Sequence, residues 1–410
     1  MFEPMGEAGG GLLPDRGRAR NTVNALLLAA GIGGLVFGGW SLYDTYETGQ
    51  EREASRTLIT RTCHGLVRDP GAVLRLGGGA DRLEAVPGPE TCAFDEVPRG
   101  GTRGERHFAL SVRALPVGAP DNVVERHPDD PFASSAKPDG DLTARTVAPL
   151  RQPIGDGALG GYGGRDVVIT AACAKPVPAT GATAVRARAA AGPGEPLKAA
   201  DRLALAAIAR TAALAHAAEV GCETRLPELP DALPVPETRL GAVDGRTDAC
   251  AWYGAHLRTA ERGPLPDRAL GTPPAAAARE EVCLLAVGPE EVRRIYAQRP
   301  EREWEYVRLQ EVLTHRPWWI ATHTYLGEDA GSLGIRAGGL PEPVVTGMAG
   351  TKGELTYATA TCHGRPAVFT MHVPFEYDFH VVRDRRAEVF RAYVEDSARR
   401  HDCTGVTLPQ

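Results

Sequence analysis

Apolar and polar positions divide the chain at once. Residues 21–43 (NTVNALLLAAGIGGLVFGGWSLY) run 23 positions without a charge. As a helix rising 1.5 Å per residue this stretch spans about 34 Å, enough for a hydrocarbon core of roughly 30 Å. A helix is required there, because each backbone N–H and C=O must be satisfied within the segment. Residues 44–62 are rich in Glu and Arg and continue as a short polar helix, with 44–56 forming a juxtamembrane piece. Beyond it, three helical stripes end on a cysteine. Ala54, Leu58 and Thr62 share a face before Cys63, a helix over 197–222 ends on Cys222, and Val389, Phe390, Tyr393 and Val394 precede Cys403.

The extended runs also come in pairs. Residues 107–112 (HFALSV) align with 282–287 (VCLLAV), and 167–173 (VVITAAC) with 355–362 (LTYATATC). Cys92-Ala-Phe aligns with Cys250-Ala-Trp. The order helix, strand, strand, hairpin, helix therefore occurs twice and predicts an α+β fold. One N-terminal transmembrane helix precedes two tandem modules, each an antiparallel sheet plus helices, over 57–222 and 223–410. Residues 116–164 hold seven prolines and eight glycines in 49 positions, which predicts a long surface loop. The Ala/Leu run over 203–218 is bounded by Arg202 and interrupted by Arg210, so it is expected as a helix against the sheet and not as a second span. Module two carries helical patterning over 289–315, opened by Pro289, Glu290 and Glu291, with Trp304, Val307 and Leu313 in its second piece. The aromatic run 315–325 follows.

Charge sets direction. Arg16, Arg18 and Arg20 precede the apolar run, while Asp44, Glu47 and Glu51 follow it. The positive-inside rule puts residues 1–20 in the cytoplasm and the bulk outside a cell membrane crossed once. Trp40 and Tyr43 suit the outer interface. The rival reading is a cleaved signal peptide, but no small-residue cleavage site follows and the run exceeds a usual signal core. The bilayer is thus the first expected partner. Ala30, Gly34 and Gly38 form a small-xxx-small row through which a homodimer or a membrane partner would approach, although glycines are also common in membrane helices generally. A net charge of −6 removes any global electrostatic case for nucleic acid. Only four of 46 basic residues are lysines, which with the many Ala, Gly and Pro indicates a GC-rich coding genome.

All eight cysteines lie beyond the apolar run: Cys63, Cys92, Cys173, Cys222, Cys250, Cys283, Cys362 and Cys403. An even number in an external compartment predicts disulfides. The local set is Cys63–Cys92, Cys173–Cys222, Cys250–Cys283 and Cys362–Cys403. A strict-repeat set with Cys222–Cys250 leaves Cys173 and Cys283 without mates. Zinc is the competing reading, because His64, His363 and His401 adjoin cysteines, yet no paired ligand spacing is present. No cofactor is expected.

Several runs carry candidate chemistry. Residues 355–365 (LTYATATCHGR) resemble the nucleophile strand of sortases. That resemblance implies Cys362 as nucleophile, a distant histidine as acid/base and an arginine, here Arg365, at the oxyanion. His363 directly follows the cysteine as the alternative candidate, and no clear histidine motif lies upstream in a matching strand. The arginine follows sooner than in that family, and Cys173 stands at the equivalent place in module one without either neighbour. A structural disulfide is therefore the first reading of Cys362. Ser134 and Lys137 match S-x-x-K without its companion motifs, and residues 347–353 (GMAGTKG) look like a phosphate loop but lack its spacing. His372, Glu376, Asp378 and His380 have metal-ligand chemistry, against an acidic loop packed with aromatics. Trp318 and Trp319 form either a ligand-contact patch or core. The half-pattern of a cysteine, Cys-Ala-aromatic about 28 residues on, then an alternating strand, is similar to small extracytoplasmic domains of actinobacterial lipoproteins and kinase sensor regions. The resemblance implies a curved antiparallel sheet stapled by disulfides. It further implies binding, sensing or scaffolding at the envelope, with catalysis by Cys362 or service as an accessory subunit of a membrane assembly as alternatives.

Overall fold

The computed structural model describes residues 16–98, 101, 104–127, 130–132, 141–144, 146–194, 196–298 and 308–410. The cytoplasmic-tail expectation for residues 1–15, Ser134 with Lys137, and Trp304 with Val307 fall outside the described residues. The described residues open with one continuous helix, α1 (Arg16–Thr62), of 47 residues, about 70 Å long. The expected juxtamembrane helix is therefore not a separate element. Its apolar stretch is long and apolar enough to cross a membrane, and nothing among the described residues covers it. The last turns dock. Arg52 Nε meets Asp81 at 2.8 Å, Ser55 Oγ accepts from Leu83 N at 3.1 Å, and Ile59 and Cys63 are fully buried.

The first sheet is built from β1 (Leu83–Ala85), β2 (Cys92–Glu96), β3 (Glu105–Pro116), β5 (Gln152–Pro153), β6 (Gly160–Tyr162), β7 (Asp166–Ala172) and β8 (Ala182–Ala191), in the order β1-β2-β3-β8-β7-β6-β5. β4 (Asn122–Glu125) leaves it for a smaller sheet. α2 (Pro70–Arg75) and α3 (Ala199–Val220) lie with the inner face. Leu205, Ala206, Ala209, Ala212 and Ala213 of α3 are buried there, the small side chains letting the helix sit close. This apolar helix is thus a core helix. Gly221, at φ +77, ends it in the left-handed conformation, and its N–H caps the last carbonyls. Arg202 is buried and donates to the Leu233 carbonyl, which ties down the next segment. Leu226, Leu229 and Leu233 pack on the first core, beyond the expected boundary at 222.

The second sheet runs β15-β16-β17-β12-β11-β10-β9, with β18 paired to β16. Its members are β9 (Gly241–Ala242), β10 (Arg268–Gly271), β11 (Glu280–Ala286), β12 (Trp319–Leu326), β15 (Gly350–Lys352), β16 (Leu355–Cys362), β17 (Arg365–His372) and β18 (Cys403–Thr407). β13 (Leu333–Arg336) and β14 (Glu342–Pro343) form a three-stranded sheet with β4. The helices are α4 (Ala251–Leu257), α5 (Pro289–Ala297), α6 (Leu309–Thr314), α7 (Glu328–Gly331), α8 (Phe375–Tyr377) and α9 (Arg386–Arg400). α4 and α9 supply Trp252, Tyr253, Phe390 and Tyr393 to the second core.

The four disulfides are Cys63–Cys92, Cys173–Cys222, Cys250–Cys283 and Cys362–Cys403. Two of them close the same kind of unit. The hairpin β7–β8 leads into α3 and the hairpin β16–β17 leads towards α9, and each bond joins the end of the first hairpin strand to the chain just past the helix. The strands before these hairpins differ. β3 pairs directly with β8, whereas β12 lies between β11 and β17, antiparallel to both. The alignment of Cys92-Ala-Phe with Cys250-Ala-Trp also fails in structure: the former is strand β2, the latter opens helix α4.

The described residues within 116–164 include paired and buried segments. β4 pairs in parallel with β13, with Asn122 opposite Leu333. Phe132, Leu142 and Val147 are buried against Leu270, Leu284, Ala286 and Trp319 on the second sheet. High Pro and Gly content forbids a long regular element, but a few apolar anchors suffice to bury an irregular one. This arm, from the first segment of chain, covers the face of the second sheet that α4 and α9 leave open.

Candidate functional site

Where the outer face of the first sheet meets the second, a cleft of about 640 Å³ opens. Its floor follows from strand alternation. On β3 and β8 the residues facing α3 are apolar, while Ala109, Ser111, Arg113, Arg186, Arg188 and Ala190 face the cleft. Arg106 would point to the core by that parity. A bulge corrects it: Phe94 pairs with Phe108 but Asp95 with Arg106, so His107 is an extra residue on β3 and turns Arg106 outward. Gly160 also belongs to the floor; at φ +127 its α-carbon lies against the Val168 carbonyl, where a Cβ would collide.

β11 contributes Glu280 and the residue before it, Arg279; α7 contributes Asp329, β5 contributes Gln152, and the arm contributes Asp121, Asn122 and Arg151. Charges interlock across the boundary. Arg186 meets Asp121 at 2.7 Å and Asp329 at 2.6 Å. Arg151 and Arg188 both close on Asp166, at 2.9 and 3.0 Å, and His323 Nδ1 lies 3.2 Å from Glu280. Arg279 pairs with Glu328 and bonds the Ala158 carbonyl at 3.1 Å. Burial alone would lift the Asp166 carboxyl, but Arg151 and Arg188 outweigh it and hold Asp166 below its ordinary range. Burial likewise opposes ionisation of Glu280, yet the His323 hydrogen bond and Arg151 bring it down. At Asp329 burial wins over Arg186 and Arg279, and its pKa is raised. Arg151 Nη1 is buried without a hydrogen-bond partner among the described residues.

The residues singled out from sequence lie elsewhere. Cys362 Sγ is bonded to Cys403, so this form holds no thiolate there, and no cysteine is free. His363, at φ +49, and Arg365 sit at the turn and start of the following strand. Trp318 and Trp319 form no exposed patch. Trp318 stacks on Tyr377 in the second core with ring centroids 5.4 Å apart, and Trp319 lies beneath the arm. Alternation along β12 sends the two rings to opposite faces, and both faces are covered. Glu376 pairs with Arg316, Asp378 with Arg386, and His372 is buried with Nε2 2.9 Å from the Glu125 carbonyl. Residues 350–357 make the hairpin β15–β16, turned at Gly353. The cleft arginines escaped the sequence reading. Their signal was the alternation Val-Arg-Ala-Arg-Ala over 185–189, one charged face on an otherwise small and apolar strand.

Compared with known protein families, curated proteins and solved structures, the chain shows no match.

Proposed function

We propose that this chain is a single-pass membrane protein, N-terminus cytoplasmic, whose two tandem disulfide-stapled α+β modules form a non-enzymatic binding ectodomain outside the cell. The topology is supported by the uncovered apolar stretch of α1, the arginines before it and acids after it, and eight paired cysteines beyond it. The recurring hairpin–helix–disulfide unit supports the two-module plan, and the resemblance to extracytoplasmic lipoprotein and kinase-sensor domains points the same way. The observation that carries binding is the cleft between the two sheets, a concave site of ligand size with convergent polar groups. α1 enters the first core at Ile59 and Cys63, so the ectodomain stands at the membrane on a helix without a joint.

Labelling of intact cells with a membrane-impermeant maleimide tests this reading. Gly10→Cys should be protected until the cells are lysed, while Ser111→Cys, on the cleft floor, should be labelled from outside. The reverse pattern, or a Ser111→Cys that stays unlabelled in folded protein, overturns it.

A further inference from the structure

The most exposed charges lining the cleft are arginines, although each also pairs with a carboxylate: Arg106 with Asp95 and Glu90, Arg113 with Asp121, and Arg188 with Asp166. Arg106, Arg113 and Arg188 expose 35, 55 and 59% of their side chains. Glu90, Asp121, Glu280 and Asp329 expose 29% or less, and each already faces an arginine. A ligand entering the cleft therefore finds the guanidinium edges of Arg113 and Arg188 more exposed than any carboxylate lining it, with Arg106 beside them. Those edges are ordered along β3. Arg188 stands directly opposite Ser111, five residues from Arg106 on β3; the bulge at His107 absorbs one of them, leaving four strand steps or about 13 Å at about 3.3 Å per residue.

We propose that the cleft binds an extended acidic peptide segment carrying two carboxylates four residues apart, one at Arg106 and the other at Arg188 with Arg113. This rests on the binding reading above and names its ligand. Side chains at i and i+4 of an extended peptide lie on one face, about 13 Å apart before their own reach is added. Guanidinium recognises carboxylate through charge-assisted bonds. Ser111, Asn122 and Gln152 line the same cleft and offer hydroxyl and amide partners to a peptide backbone, while Ala109, Ala190 and Gly160 leave room for its body. Among the described residues lining the cleft none carries an aromatic ring. That disfavours ligands held by stacking, such as bases or sugar faces.

The test uses full-length protein in nanodiscs and fluorescence polarisation of fluorescein-labelled Glu-Ala-Ser-Ala-Glu. Saturable binding is expected, weakened about tenfold by Arg106→Gln or Arg188→Gln, the loss of one charged hydrogen-bonding partner. Both arginines are partly exposed, so melting temperatures should stay near that of the parent protein and show that the fold survives. The proposal is overturned if Gln-Ala-Ser-Ala-Gln binds equally well, if both variants bind as the parent does, or if folded protein binds no peptide. Tighter binding of inorganic tripolyphosphate than of the peptide also overturns it, by assigning the cleft to a phosphate ligand. A Ser111→Cys labelled from outside, with no peptide bound, sinks this inference alone. A Ser111→Cys that stays unlabelled sinks the binding reading itself.

Discussion

Arg186 and Asp329 meet at 2.6 Å across the boundary between the two sheets, each side chain mostly buried. Register makes the contact necessary. Arg113 on β3 stands directly opposite Arg186 on β8, and like charges in that position destabilise a strand pair. Asp121, on the arm, takes a bond from each of them, at 3.5 and 2.7 Å. The repulsion inside the first sheet is thereby turned into a tether for the arm and the second sheet.

Replacing Arg186 with methionine should therefore cost about 3–5 kcal/mol, the usual result of leaving buried charge without its partner. The loss should depend on pH. Burial already raises the Asp329 pKa, against the pull of Arg186 and Arg279, and removing Arg186 raises it further. A group whose folded pKa lies above its unfolded value favours the folded state at low pH and loses that contribution as pH rises. Urea denaturation should thus give a larger penalty for Arg186→Met at pH 7.5 than at pH 5. An equal penalty at both would show that Asp329 is not the carboxylate left uncompensated.

His372 makes an opposite prediction. Burial, reinforced by His323, Arg386 and His127, lowers its pKa to about 4, although its bond to the Glu125 carbonyl pulls the other way. Because the folded value lies below the ordinary one, the unfolded chain takes up the proton first. Stability is complete above about pH 6.5 and falls as pH drops towards 4, by about 3 kcal/mol from this group. His372→Gln keeps a donor for Glu125 and should flatten that part of the stability profile. Unchanged acid sensitivity in the variant would assign the effect to other groups.

Local pattern carried much of the fold into the sequence. A charge-free run, cysteines at helix ends, and β-branched runs before Cys173 and Cys362 each reflect contacts close along the chain. Relations between distant segments did not show. Nothing in residues 315–325 says that β12 enters the sheet between β11 and β17, because insertion depends on free edges that only the folded sheet offers. The sequence left Trp319 open between contact patch and core because its cover, Phe132 and Leu142, lies in a stretch whose prolines hide its anchors. The cleft was hidden for a related reason. Arg106 joins it only through the bulge at His107, and the carboxylates lining the cleft, Glu90, Asp121, Glu280 and Asp329, come from four separate segments.

The two staples past the hairpins should act alike. Cys173–Cys222 and Cys362–Cys403 span 49 and 41 residues, for which loop entropy gives about 4 kcal/mol each. Cys362→Ser with Cys403→Ser should lower stability by about that much, as should the Cys173/Cys222 double change, when measured by denaturant titration. Peptide mass spectrometry without reduction should find Cys362 joined to Cys403. A Cys362 that is freely alkylated in native protein would return attention to the sortase-like reading.

The arm offers the sharpest separation of local from global stability. Phe132 is fully buried among Leu270, Leu284 and Trp319, and truncating such a ring costs about 3–5 kcal/mol when the cavity cannot collapse. The arm's contacts with the later chain are of separate kinds: Phe132, Leu142 and Val147 in the apolar patch, β4 paired to β13, and polar links such as Asp141 with Arg268 and the Glu125 carbonyl with His372. Phe132→Ala should therefore release the arm before it unfolds either sheet. Hydrogen exchange should rise at the β4 amides bonded to β13 and at Val147, whose N–H donates to the Thr238 carbonyl, while β7, β8, β16 and β17 keep their protection. Trp319 should report the same event through a fluorescence change as its ring meets water. Uniform loss of protection across both sheets would mean instead that the arm and the sheets unfold as one cooperative unit.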